Sequence, residues 1–269
     1  MNKKVKKIKS KVIKKEVAIC DRQYDSVKYG SLLKKYFAHR GVHGEYPENS
    51  LPAFQEALNH NMAIELDVHL TKDNHLVVFH DDNLDRMTGV DEFVKYKTLD
   101  EIKQLNLADS QYKIPTLKEV LTLVAGKTAI LLEIKTENNT KKICKKIIEE
   151  LKGYTGEVFI QSFNPFALRY FYKNAPTYLR GQLSSFFHND TLSWIKKMLI
   201  KTLSFNKFAH VDFVAYNIKN LPNKFVNKTD VPILTWSIKT REEYLKAKKV
   251  SNNLIIDDIG CLISEKQAD

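Results

Sequence analysis

The chain has 269 residues, 43% hydrophobic and 28% charged, a globular composition at a length that suits one α/β barrel. Its cysteines, Cys20, Cys144 and Cys261, are odd in number and form no CxxC pair, which argues against a disulfide framework or thiolate zinc site and fits a reducing compartment. The formal charge of +11 is concentrated at one end: residues 1–35 hold eleven Lys and one Arg against Glu16, Asp21 and Asp25, or +9, while residues 36–269 carry only +2.

The basic segment 1–35 is read as an N-terminal extension ahead of a catalytic domain at 36–269. Lys14, Lys15 and Glu16 interrupt any apolar run of the signal-peptide kind, and residues 17–20 are too few to supply one. No stretch approaches a membrane-spanning length, so the expectation is a soluble, cytoplasmic protein. Val5, Ile8, Val12 and Ile19 fall near one face of a helix with lysines around the rest. That pattern suits peripheral contact with an anionic membrane, and equally a solvated tail. Without interleaved aromatics the lysines do not suggest nucleic acid as a partner.

From residue 36 onward, short apolar runs alternate with amphipathic stretches. Strands are predicted over 36–39, 63–69, 75–80, 129–134, 158–161, 178–181, 213–215, 232–236 and 254–257. Helices are predicted over 50–59, capped by Asn49 or Ser50, and over 116–124, where Thr116 and Glu119 have capping-box spacing. Further helices are predicted at 140–151, 165–172 and 241–248. This alternation implies a parallel sheet, and about eight βα units fit a closed (β/α)8 TIM-type barrel better than an open sheet. Two segments break the rhythm. Residues 81–115 are polar and weakly periodic and look like an insertion in a βα loop. Residues 184–210 hold an apolar, basic helix around 194–203, a candidate lid.

Four charged clusters stand at the ends of apolar strands. His39 and Arg40 follow the first, where a His can move protons near neutral pH and an Arg can grip a phosphate through paired hydrogen bonds. Glu65 and Asp67 alternate with Ile64, Leu66 and Val68 and so share a face. Two carboxylates on one inward face call for a positive charge between them. A divalent metal would supply it, with oxygen ligands favouring Mg²⁺ or Ca²⁺; a lysine partner for one carboxylate and solvent for the other is the alternative. His80 ends the apolar run 77–79 and is expected to face His39 across a cleft. Glu133 and Lys135 share a face of another strand, as a third carboxylate and second cation or as a simple ion pair. Together the clusters offer a metal site, a phosphate clamp, an acid and a base, the requirements of phosphodiester hydrolysis.

In order and spacing, His39-Arg40-Gly41, Pro47-Glu48-Asn49-Ser50, Glu65-Leu66-Asp67-Val68, Thr71-Lys72-Asp73 and His80-Asp81 with Leu84, Arg86 and Thr88 resemble the glycerophosphodiester phosphodiesterase family. The similarity continues through Ile114-Pro115-Thr116-Leu117, Glu133-Ile134-Lys135, Gln161-Ser162-Phe163 and Thr235-Trp236, from about Tyr36 to Asp258. The resemblance implies a TIM-type barrel with a small insertion after the second strand, which fits about 69–115, in an early βα loop. It also implies Glu65, Asp67 and Glu133 as metal ligands, His39 and His80 as the acid–base pair, and Arg40 and Lys135 as phosphate-holding residues. Phe163 and Trp236 either line the substrate groove or pack in the barrel. The chain departs from the family pattern at Asn74, at Asn61-Met62, in the Asp257-Asp258 pair and over 184–210.

The activity implied is metal-dependent hydrolysis of a small glycerophosphodiester to glycerol 3-phosphate and an alcohol. One histidine would deprotonate a nucleophile, such as the neighbouring glycerol hydroxyl, while the other protonates the departing alcohol. A lysophospholipase D-type activity at a membrane surface uses the same site and is the alternative. A non-catalytic barrel has no need of three converging carboxylates.

Overall fold

The computed structural model describes residues 18–136, 139–186 and 193–263, the side chain of Lys196 excepted. Its strands are β1 (Phe37–Ala38), β2 (Ala63–Leu70), β3 (Leu76–Val78), β4 (Ile130–Ile134), β5 (Val158–Ser162), β6 (Arg180–Ser184), β7 (Phe213–Asn217), β8 (Ile233–Ile238) and β9 (Asn253–Ile256). All but β3 are parallel. β1 pairs with both β2 and β9, through Ala38–Ile64 and Ala38–Ile256, so the sheet closes into an eight-stranded barrel. The helices are α1 (Ser26–Lys34), α2 (Leu51–Asn59), α3 (Asp85–Thr88), α4 (Leu99–Gln104), α5 (Leu117–Val124), α6 (Thr140–Leu151), α7 (Pro165–Asn174), α8 (Trp194–Lys201), α9 (Asn206–Ala209), α10 (Lys224–Asn227) and α11 (Arg241–Val250).

Period-2 alternation divides the core in two. Ile64, Leu66 and Val68 of β2 and Ile130, Leu132 and Ile134 of β4 point outward and pack beneath the helices. Ala63 and Leu131 point inward, where they meet Phe37, Phe159, Phe213, Leu234 and Ile255. Leu32 of α1 joins this interior layer. Ile19 is buried in a separate cluster with Val214, Tyr216 and Ile233. Packing therefore begins ahead of residue 36, and Ile19 is not available to a lipid-facing stripe. The remaining members of that stripe, Val5, Ile8 and Val12, lie outside the described residues.

The helix starts follow local chemistry. Ser50, rather than Asn49, caps α2, its Oγ accepting from Ala53 N at 3.3 Å. Thr116 and Glu119 close the capping box of α5. Two strands differ from expectation. β6 lies at 180–184 rather than 178–181, because Gln182 and Ser184 are buried polar residues whose side chains bond main-chain carbonyls, and hydropathy alone hides them. The 75–80 run is not a barrel strand. β3 folds back antiparallel on β2, pairing Val68 with Val78 and Leu70 with Leu76. Asn74, at φ 69°, makes the tight turn. Beyond β3 the chain builds its own small core from Val77, Phe79, Leu84, Val94, Ile102 and Ile114.

After β1 the chain turns sharply through two residues of positive φ, Arg40 at 58° and Gly41 at 84°. A Cβ on Gly41 would lie 2.7 Å from the carbonyl carbon of Ala53, within α2, where neither backbone can yield. Gly41→Ala is expected to destabilise the protein by about 2–3 kcal/mol, measured by urea unfolding, with both the strain and the clash contributing.

Candidate active site

The C-terminal ends of β1, β2, β4, β5, β8 and β9 converge on a cleft of about 380 Å³, the end at which parallel barrels carry their chemistry. Strand register sets its floor. Asp67 is level with Glu133, and Glu133 is level with Gln161, across three neighbouring strands. Glu65 sits one inward position below Asp67. Oxygens of Glu65, Asp67 and Glu133 all lie within 4.8 Å of one another, and all three residues are buried.

Two cations and two amides hold this cluster together. Lys135 Nζ donates to Glu133 Oε1 at 2.6 Å and lies 2.9 Å from Asp67 Oδ1. Arg40 Nε is 3.5 Å from Asp67 Oδ2, and the Arg40 main-chain N–H donates to Glu65 Oε2 at 3.0 Å. Asn49 Nδ2 donates to Asp67 at 2.9 Å, and Gln161 Nε2 to Glu65 at 3.1 Å. Asn49 reaches inward from a left-handed residue at φ 56°, a conformation asparagine tolerates well.

Each of the two candidate histidines has a carboxylate on Nδ1. His39 Nδ1–H donates to Asp257, which follows β9 directly. His80 Nδ1–H donates to Asp81 Oδ1 at 2.5 Å. In both rings the Nδ1 bond leaves Nε2 with its lone pair in the neutral form. His39 and His80 line the same cleft, but His80 is delivered by the arm after β3, not by a neighbouring barrel strand. That arm is tied in by charge. Arg86 of α3 pairs with Asp81 at 2.5 Å and with Glu48 at 2.6 Å, and Glu48 pairs with Arg40 at 2.8 Å. A continuous ionic chain thus runs from Arg40 through the insertion to His80.

Phe163 and Trp236 meet edge to face, 5.8 Å apart, in the lining of the cleft. Trp236 Nε1–H donates to the Ala215 carbonyl, so the ring both lines the cleft and packs in the barrel. Sequence reasoning gave no part in the site to Glu48, Asn49, Asp81, Arg86, Gln161 or Asp257, though most stand inside the quoted motifs. Asp257 figured only as a departure at the last strand; barrel closure sets it against His39. Its neighbour Asp258 instead caps a 3₁₀ turn, accepting from Gly260 N at 2.8 Å.

Crowding shifts the protonation of the cluster. Burial, reinforced by Asp67 and Glu133, pushes Glu65 well above the ordinary carboxylate range. Glu133 is also raised by burial, against the pull of Lys135. Asp67 goes the other way: burial opposes its charge, yet Lys135, His80 and Arg40 hold it below the usual range. Burial lowers His39 despite its bond to Asp257, so its imidazole is neutral at pH 7.

The donor set fits a hard divalent cation. The ligands are all oxygen, and three carboxylates face two cations. Burial and its two carboxylate neighbours raise Glu65, and a cation among the three would relieve that repulsion. Gln161 Oε1, buried beside Glu65, has no hydrogen-bond partner. Glu65 and Glu133 line the cleft directly, whereas Asp67, at 1% exposure, does not and is already engaged by Lys135, Arg40 and Asn49.

Residues 39–259 match the model of the glycerophosphoryl diester phosphodiesterase family. A glycerophosphodiester phosphodiesterase of Caldanaerobacter subterraneus subsp. tengcongensis is 34% identical over 239 residues, covering 84% of this chain and 95% of the relative. A Bacillus altitudinis protein of the same name is 38% identical over 156 residues, 54% of this chain and 64% of that protein, so this match spans just under two thirds of its length. Among solved structures, an Oleispira antarctica phosphodiesterase in complex with the product sn-glycerol-3-phosphate superposes with a TM-score of 0.73 at 24% identity, covering 89% of this chain and 99% of the other.

Glu65 retains a proton to higher pH in the folded than in the unfolded chain. Its contribution to metal-free stability is therefore fully present below the ordinary carboxylate pKa and is lost as pH rises through the folded value. In EDTA, Glu65→Gln is expected to raise the urea midpoint at pH 8 and to make little difference at pH 4. Calorimetry of Mg²⁺ or Ca²⁺ binding at pH 7 is expected to show proton release to the buffer in the wild type. The variant should bind roughly tenfold or more weakly, with less proton release.

Proposed function

We propose that this chain, which belongs to the glycerophosphoryl diester phosphodiesterase family, hydrolyses small glycerophosphodiesters to glycerol 3-phosphate and an alcohol by divalent-metal-assisted acid–base catalysis. The observation that carries the mechanism is the pair of histidines, each fixed at Nδ1 by a carboxylate, in a cleft floored by three carboxylates.

Glu65, Asp67 and Glu133 would hold the cation, which supplies Lewis-acid neutralisation of the phosphate charge. Arg40 stands beside the cluster and offers guanidinium N–H groups to the same phosphate. Lys135 balances Asp67 and Glu133 and brings a second positive charge to the cleft. His39 is the base: half-buried, neutral at pH 7 and oriented by Asp257, it takes the proton of the glycerol hydroxyl next to the diester. That oxygen attacks phosphorus, the ester bond to the alcohol breaks, and His80 donates its proton to the leaving oxygen. Water then opens the cyclic phosphate with the two histidines in exchanged roles. Phe163 and Trp236 form the apolar wall facing the glycerol or the head group. The reading places the barrel in the cytoplasm; among the described residues no helix is long and apolar enough to cross a membrane.

A metal-supplemented screen of glycerophosphodiesters, read by release of glycerol 3-phosphate, tests the reaction. Activity is expected with Mg²⁺ or Ca²⁺ and loss with chelator. Lysophosphatidylcholine cleaved in preference to glycerophosphocholine would instead favour the lysophospholipase D-type reading. His39→Ala is expected to abolish turnover with fold and metal affinity intact; full activity in that variant removes His39 from the mechanism. Asp257→Asn should lower kcat by roughly 10²- to 10⁴-fold, by analogy with the loss of a carboxylate that orients a catalytic imidazole. Without that carboxylate the His39 pKa falls further, so any residual activity should have its acidic limb at lower pH than the wild type.

A further inference from the structure

α8 is apolar on two sides. Ile200 and, just past the helix end, Leu203 are buried. Trp194, Ile195 and Met198 share another side and are 71%, 49% and 46% exposed. Scattered apolar residues at a surface need no explanation, but a helix that holds Trp, Ile and Met together in water has a face built for a second apolar phase. A second exposed aromatic group follows in α9 and its neighbour. The rings of Phe166, at the start of α7, and Phe208 meet at 5.4 Å, and Phe205 packs on both. Phe166 is 58% exposed.

The charge carried by α7, α8 and α9 themselves has one sign. Residues 191–211 contain four lysines and no Asp or Glu, and α7 adds Arg169 and Lys173, again with no acid. The Arg169 guanidinium lies over the Phe208 ring, 5.4 Å from its centre. The segment is anchored on the rim that bears the active site. Ser184 Oγ, at the end of β6, donates to the Ile200 carbonyl at 2.9 Å, and Tyr216 OH, on β7, donates to the Lys201 carbonyl at 2.9 Å. Phe166 follows the cleft residue Phe163 by three positions.

We propose that α8 and α9 form a membrane-docking surface that seats the mouth of the barrel against an anionic lipid bilayer. Trp194 and Met198 enter the boundary between headgroups and acyl chains, and the acid-free flank of lysines and Arg169 meets the lipid phosphates. A continuous sheet of phosphates matches a surface whose charge is all of one sign better than a protein partner of mixed charge does. Docking of this kind is independent of which diester the cleft hydrolyses.

The full chain is sedimented with phosphatidylcholine vesicles with and without about one third phosphatidylglycerol. Binding to the anionic vesicles is expected to be roughly tenfold tighter or more, and to weaken in about 0.5 M salt. Tryptophan emission should shift to the blue on binding. The other tryptophan, Trp236, is already half-buried and hydrogen-bonded, so the shift reports on Trp194. The double variant Trp194→Glu/Met198→Glu should bind roughly tenfold more weakly or worse, with the wild-type Tm and the wild-type rate on water-soluble glycerophosphocholine. Wild-type vesicle affinity in that variant overturns the proposal, as does equal binding to neutral vesicles. No vesicle binding by the wild type also overturns it and turns attention to a protein partner for α8.

Discussion

Three carboxylates are forced together at the mouth of the barrel, and much of the surrounding structure answers that crowding. Asp67 and Glu133 are neighbours because β2 and β4 pair in register, and Glu65 joins them because strand side chains repeat every second residue. Leaving three buried negative charges unpaired would be prohibitive. Lys135 and Arg40 compensate two of them, Asn49 and Gln161 donate hydrogen bonds, and the residual imbalance appears as the raised Glu65. The same imbalance gives the site its capacity for a cation. Stability and chemistry pull in opposite directions here, and the large apolar layers inside and outside the barrel carry the difference.

The insertion after β2 is part of this solution. It folds around its own apolar cluster, so it can present side chains rigidly. One of them, Arg86, links Asp81 to Glu48, and Glu48 in turn grips Arg40. The histidine on the insertion and the arginine after the first barrel strand are therefore held by one set of charges. This arrangement suits the acid and base roles proposed for His80 and His39.

Much of this was legible in the sequence, for definite reasons. Alternation in Ile64-Glu65-Leu66-Asp67-Val68 identified an inward acidic face, and Thr116 with Glu119 identified a helix start. These are local signals with a fixed period or spacing. Three features lacked such a signal. The run ending at His80 reads like any strand, and only its antiparallel return on β2 shows that it leaves the barrel. β6 carries buried Gln182 and Ser184, whose partners are distant carbonyls. The hydrogen bond between His39 and Asp257 joins residues 218 positions apart, and nothing near either residue announces the other. Arg86 was visible inside a motif, yet its double engagement depends on how the insertion folds.

The meeting of β1 with β9 has a temporal consequence. Asp257 bonds His39 Nδ1, so the histidine proposed as general base is oriented across the seam where the barrel closes. A growing chain passes through a long period in which the carboxylate cluster and both histidines already exist while Asp257 has yet to be added. Such a chain has the proposed ligands and acid but lacks the carboxylate that orients the proposed base. On the proposed mechanism, competence then arrives with the last strand, as a switch thrown by ring closure, and an opened seam in the mature protein would silence the site without touching the carboxylate cluster.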